Sequence, residues 1–411
     1  MSDCKRFFAD NFDAFKDDLK GLIEIPSVTS DKETSVKALD YVIGLARESG
    51  LKAFTAAGGR VGVVEYGEGG EAFGILVHVD VVEAEASEWR FPPFALTESE
   101  GRLYGRGVVD DKGAVMIILY MLKYLRKAGI RGNRKIQLII GTQEESEWDD
   151  IDAYKVEMST PCCGFTPDGD FPISNAEKGY IDLELSFPAK AVTAVKGGNA
   201  PNTVPSLISV TVENREYIFK GKAAHSSSPW SGVNAIIKAA SELEGVAREE
   251  AFRFLRENFD DNFYGDREGT VVCPSLISLD DGMINLTLNV RTAPGASNAE
   301  VIAYFEEKGR EYGFSLSSRP YAMEPIHVDR ESGFIKLMKK TYDRIMDTDS
   351  DITLGYGTSY AKALPNFVSF GPLLPNEPDT FHQADENMSV SNIHLAFQIY
   401  AEYMEELCSM R

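Results

Sequence analysis

The chain has 411 residues, 43% of them hydrophobic and 26% charged, ordinary proportions for a globular protein but more length than one domain of roughly 100–200 residues needs. Lys and Arg number 42 against 64 Asp and Glu, a net charge of −22, and that field argues against nucleic acid and anionic membranes as partners. The longest apolar run, Ala114 to Leu122, is nine residues, about half of the roughly 20 that cross a bilayer. The N-terminal MSDCKRFFADNFDAFKDDLK shows no secretory apolar stretch. Cys4, Cys162, Cys163, Cys273 and Cys408 are an odd set without a CxxC pair, which fits a reducing, cytoplasmic setting better than a disulfide framework. Vicinal Cys162 and Cys163 read as two small buried hydrophobes.

In chain order, Phe8, Phe12, Phe15, Leu19, Leu22 and Ile23 recur at three- and four-residue steps, the stripe of an amphipathic helix running up to Pro26. A second helix is expected from Asp31 to about Ser49. Strands follow in RVGVVEY and AFGILVHVD, then a helix in GAVMIILYMLKYLRKAG and strands in KIQLIIGT and CCGFTPD. Strands alternating with helices predict an α/β fold, a mixed sheet with helices on both faces, ending near Lys178. From 179 to 293 the texture changes to amphipathic strands (YIDLELSF, SLISVTVEN, REYIFKGKAAH, VVCPSLISL, MINLTLNVR) with two helices near 231–244 and 247–259. This is expected to be an inserted α+β lid. Helices near 298–309, 332–346 and 389–408 and a strand at NFVSFG then resume the first domain over 294–411, giving a catalytic domain in two parts, 1–178 and 294–411.

His78 ends the apolar strand GILVHVD, and Asp80, two residues on, shares its face. His327 and Asp329 repeat the HxD letters before a helix-like stretch, where Asp329 suits an N-cap; the first copy sits where α/β sheets place ligands. The glycine-rich GRLYGRGVVDDKG delivers Asp110 and Asp111 to a helix start, where acids also simply favour the macrodipole. Strand KIQLIIGTQ runs into Glu144 and Glu145, whose side chains in extended backbone point to opposite sides, so one can bind a metal while the other faces a water. Asp168 follows the strand CCGFTPD, and His382 lies in the polar loop EPDTFHQADEN. Two imidazoles and three carboxylates at or beyond strand ends (His78, Asp110, Glu145, Asp168, His382) are the inventory of a two-metal hydrolytic site, and without thiolates they suit zinc, manganese or cobalt.

Taken in order, HVDVV, GRGVVDDKGA, GTQEES, FTPDGDFPISNAEKG, GKAAHSSSPWSGVNA and PDTFHQADE resemble the di-zinc metallopeptidases that include aminoacylase, carnosinase, acetylornithine deacetylase and succinyl-diaminopimelate desuccinylase. Within them SEWRFPPFALTESEGRLYGRGVVDDKG and GGNAPNTVPS are similar to the peptidase V-like dipeptidases. The resemblance implies a zinc-peptidase-like catalytic domain with two divalent ions per chain, zinc first and manganese or cobalt as alternatives. His78 and Asp168 would hold one ion, Glu145 and His382 the other, and Asp110 would bridge them, with a cis Asp110–Asp111 peptide. Asp80 would hold the His78 tautomer and Glu144 would be the general base. His225 and Asn202 from the lid would polarise the scissile carbonyl, while Arg291 and Lys362, in GTSYAK, would bind the substrate carboxylate. The implied activity is a dipeptidase taking small peptides, with N-acyl amino acid hydrolysis as the alternative and no nucleic-acid or membrane partner.

This chain departs from the family in carrying GTSYAK where relatives commonly have GGTYAR, so a Lys point charge replaces a bidentate fork. The lid, at about 113 residues, is close to that of dimeric relatives, yet Asn202 precedes His225 as in monomeric ones, leaving monomer and homodimer both open. Gly67, Gly69 and Ala72 match a dinucleotide fingerprint by letter, but a strand follows, so a hairpin turn is the better account. His394, in the C-terminal amphipathic stretch, reads as a packed helix residue. A non-catalytic binder would have lost a ligand or the base, and none is missing.

Overall fold

The computed structural model describes all residues except 1, 133, 245–246, 261–262, 266–267, 356–357 and 410–411, and the backbone alone at 319–321. Gly357 of GTSYAK is outside the described residues. The chain forms two compact units, one of residues 1–175, 328–353 and 359–411, the other of 176–327 and 354–358.

The first unit is built on a mixed sheet whose strands run in the order Lys52–Ala56, Val61–Tyr66, Lys135–Gly141, Ala72–His78, Cys163–Thr166, Phe367–Ser369 and then Ile173–Glu177, which crosses into the second unit. Four neighbours, 135–141, 72–78, 163–166 and 367–369, are parallel, in registers that pair His78 with Gly141 and Ser369 with Thr166. Their carboxyl ends therefore lie side by side, and the candidate residues hang there. Strands 61–66 and 72–78 are not a hairpin, because strand 135–141 lies between them, antiparallel to the first and parallel to the second. The glycines at 67–70 close a crossing connection, a topology that local turn letters do not distinguish from a hairpin.

Helix Lys112–Ala128 is apolar on every side over 114–122 and buried up to its last turn, packing on strands 72–78 and 135–141 and on helices Asp3–Ile23 and Val390–Ser409. It stops at Gly129, which adopts φ 69°, the left-handed stop that glycine takes without a Cβ penalty. Phe8 on the first helix stacks on Phe397 at 4.1 Å, and the His394 ring packs on Phe8 and Phe12, so the half-buried His394 is a packed helix residue. Helix Lys32–Glu48 is N-capped by Asp31, which accepts the Thr34 N–H at 3.1 Å, a contact worth about 1 kcal/mol. Asp329 does not cap the next helix. It accepts the Glu331 N–H in the preceding turn, and helix Gly333–Met346 starts behind Ser332.

The second unit is an antiparallel sheet ordered Arg215–Lys220, Leu207–Val212, Val192–Gly197, Val271–Asp280, Met283–Arg291, Tyr180–Pro188 and Ser315–Met323. One face is covered by helices Ala235–Glu242, Glu250–Asn258 and Asn298–Tyr312 around Leu183, Leu185, Phe187, Phe252, Phe254 and Phe305. The predicted end of the insert at 293 is too early. Strand 315–323 pairs with strand 180–188, and helix 298–312 packs on both, so 294–327 belongs to this unit. Helix texture at 298–309 carried no information on which sheet it covers.

Candidate active site

His78 closes its strand fully buried. Its Nδ1 lies 2.9 Å from the backbone carbonyl of Asp80, so Nδ1 carries the proton and donates. Nε2 is left with its lone pair 3.0 Å from Asp110 Oδ1, and among the described residues it has no hydrogen-bond partner. A buried nitrogen without a partner is costly, and this one faces carboxylates.

Asp110 divides its oxygens between the two imidazoles, with Oδ1 at 3.0 Å from His78 Nε2 and Oδ2 at 2.9 Å from His382 Nε2. His382 Nε2 is also 3.0 Å from Glu145 Oε1, and Asp168 Oδ2 is 3.8 Å from His78 Nε2. Two groups result, His78 with Glu144 and Asp168, and Asp110 with Glu145 and His382, the ligand atoms in each lying within 4.8 Å of one another. The Asp110–Asp111 peptide is cis. Glu144 and Glu145 sit in a turn beyond Gly141 rather than in extended backbone, and their carboxylates still part company, one to each group.

Burial drives the electrostatics. It raises the Glu144 carboxyl well above the usual carboxylate range, and burial together with the Asp110 charge pushes Asp168 up to about 8 and raises Glu145. Asp110 is equally buried, yet its hydrogen bond with His382 and the nearby His78 imidazole hold it well below its ordinary value. His382, bonded to Asp110 and Glu145, is pushed up to about 11. Closely packed acids of this kind are stabilised by added positive charge, and oxygen and imidazole donors with an unpartnered buried Nε2 fit divalent cations.

The Asp80 carboxylate does more than expected. It is 3.4 Å from His78 Nδ1, but its oxygens accept the backbone N–H groups of Glu144 at 3.1 Å and Glu145 at 3.2 Å. The closer partner of the His78 Nδ1 proton is the Asp80 carbonyl, and the carboxylate, beside the same nitrogen, also places the glutamate pair. Sequence reading also missed the floor of the site. The buried Tyr360 ring meets His78 edge-on at 5.9 Å and Trp148 at 5.3 Å, its hydroxyl reaches Asp150 at 3.2 Å, and Trp148 Nε1 donates to the Glu144 carbonyl at 2.7 Å. Only tertiary proximity marks these residues. Lys362 lies half-buried in the same short turn as Tyr360.

The second unit holds His225, Asn202 and Arg291 in one neighbourhood. Thr203 and His225 form a β-bridge, and the Ser226 N–H donates to the Asn202 carbonyl at 2.9 Å. His225 Nδ1 accepts the Ser227 N–H at 3.2 Å with the Ser227 hydroxyl at 2.7 Å, so the ring proton is on Nε2. Burial and nearby Arg291 lower its pKa, making it a neutral donor. Buried Arg291 lies over the Tyr180 ring, its guanidinium carbon 4.9 Å from the centroid, and bonds Asn289 through Nε at 3.3 Å.

The profile of peptidase family M20/M25/M40 matches residues 74–406. The chain belongs to this family. This M20 peptidase is thus a hydrolase of peptide bonds, and its two clusters stand in a family with dinuclear metal-binding members. Among relatives, a Bacillus subtilis protein named "Putative dipeptidase YtjP" is 32% identical over 403 residues, covering 85% of this chain and 86% of that one. Among solved structures, aminoacylhistidine dipeptidase from Vibrio alginolyticus superposes with TM-score 0.69 at 12% identity, covering 95% and 96% of the two chains. A Bacillus subtilis protein described as a dinuclear metal-binding peptidase of the M20 family gives TM-score 0.60 at 13% identity over 99% and 100%. No helix among the described residues of the M20 peptidase is long and apolar enough to cross a membrane.

Proposed function

We propose that this M20 peptidase is a dipeptidase that hydrolyses short peptides with a free C-terminal carboxylate, using two divalent ions, zinc first with manganese or cobalt as alternatives. His78 and Asp168 hold one ion, Glu145 and His382 the other, and Asp110 serves both. The division of the Asp110 oxygens between His78 and His382 is the observation that carries this reading. Bound ions supply a polarised water and an electrophilic pull on the scissile carbonyl. Glu144, its proton affinity raised by burial, takes the proton of the attacking water and returns it to the leaving amine. His225, as a neutral Nε2–H donor, and Asn202 stabilise the oxygen of the tetrahedral intermediate. Arg291 and Lys362 bind the substrate carboxylate. Five free cysteines support a cytoplasmic setting.

The test is a panel of dipeptides, C-terminally amidated dipeptides and N-acyl amino acids, assayed after chelation and after restoring zinc, manganese or cobalt. Cleavage of free dipeptides, lost on chelation, recovered with two ions per chain and accompanied by a sharply raised KM for the amides, is expected. Preference for N-acyl amino acids would replace the dipeptidase reading. Full turnover with one ion or none would refute the two-ion site.

A further inference from the structure

The loops carrying Asp110 and His382 are tied together by a carboxylate that has no place in the chemistry above. Glu386, four residues beyond His382, is fully buried. Its Oε1 accepts the N–H groups of Val109 at 2.7 Å and Asp110 at 3.1 Å, and its Oε2 accepts the Gly107 N–H at 2.9 Å and Arg106 Nη1 at 2.7 Å. Its backbone carbonyl takes the Gly105 N–H at 3.1 Å. The stretch 105–110 thus wraps around one side chain. Gly107 makes this possible, with φ 92° and no room for a Cβ, which would stand 2.9 Å from Lys112 Cδ and 3.1 Å from Val81.

Residues Asn387–Ser389, directly after Glu386, pair antiparallel with Arg102–Tyr104, directly before the wrapped stretch. Strand pairing sets the coarse register of the two loops, and the carboxylate fixes the backbone N–H of Asp110 itself. A buried carboxylate is costly unless its oxygens are satisfied; here each takes two donors, leaving it engaged with the loop rather than with a substrate. His382, by contrast, is half-exposed with φ 58°, so its place depends on what anchors its loop.

We propose that Glu386 is a positioning residue for the Asp110–Glu145–His382 site, holding the two loops in register so that a divalent ion meets preset ligands. This rests on the two-ion reading. Partners behind metal ligands typically contribute 10–100-fold to affinity, and that is the loss Glu386→Gln should show, because its amide turns N–H toward backbone N–H. The experiment titrates chelator-stripped protein with cobalt(II), following visible absorbance and chelator competition, with melting temperature measured alongside. Wild type should take two ions. Glu386→Gln should hold the ion at Glu145 and His382, the second, about 10–100-fold more weakly, and the ion at His78 and Asp168, the first, more weakly by a smaller factor, because of the tethered ligands it shares only Asp110. Two ions at wild-type affinity, or equal weakening of both, would overturn the proposal and leave Glu386 a purely structural acid. If Glu386→Gln does not fold, Arg106→Gln, which removes one of the four side-chain bonds, decides: a several-fold weaker second ion supports the proposal and unchanged affinity overturns it. A wild-type protein that takes up fewer than two ions would sink the two-ion reading, a failure seen without any variant.

Discussion

Replacing Asp80 by Ala tests what its carboxylate does. The substitution leaves the His78 Nδ1 bond to the residue 80 carbonyl in place and removes the acceptors of the Glu144 and Glu145 N–H groups. Bonds to a charged acceptor contribute about 1.5–3 kcal/mol each, and because these are part-buried the lower figure applies, about 3 kcal/mol together. Spent on misplacing the two glutamates in the transition state, that corresponds to about a 10²-fold loss of kcat. Ion affinity should divide in the same way. Measured in a His382→Ala background, which reports the site at His78, Asp80→Ala should change it little; in a His78→Ala background, which reports the site at Glu145, it should weaken clearly. Weakening confined to the His78 side would show that the carboxylate orients the imidazole after all. A kcat within threefold of wild type would refute the reasoning altogether.

Glu144→Gln should keep both ions and lose about 10²–10⁴-fold in kcat, whereas Glu145→Gln should lower ion affinity itself, as chelator competition would show; near wild-type turnover in Glu144→Gln ends its assignment as base. His225→Ala should cost about 10²–10³-fold in kcat with normal ion stoichiometry and melting temperature, and a lowered melting temperature with normal kcat would make it structural. In chelator-stripped protein, Asp168 at about 8 against 3.8 unfolded and His382 at about 11 against 6.5 both bind more protons folded than unfolded between pH 5 and 9. Stability should therefore fall as pH rises across that window, and restoring the ions should flatten the slope in a melting series; a slope of the opposite sign would contradict these shifts.

The stripe of Phe8, Phe15 and Leu19, the apolar run 114–122 and the alternation in 180–188 declare their elements because burial periodicity is local. The residues at the ends of strands 72–78, 135–141 and 163–166 were legible too, since parallel strands bring their carboxyl ends together and only certain donor types suit that place. Sequence could not tell that strand 135–141 separates 61–66 from 72–78, or that 315–323 joins the second unit's sheet, because pairing partners are chosen by competition among distant strands with the same pattern. Nor could it assign Asp80, two residues from His78, to the N–H groups of Glu144 and Glu145, or Glu386 to the loop before Asp110. An Asp or Glu reads alike on a solvated surface and at the hub of buried donors; what differs is desolvation, which only the folded chain imposes.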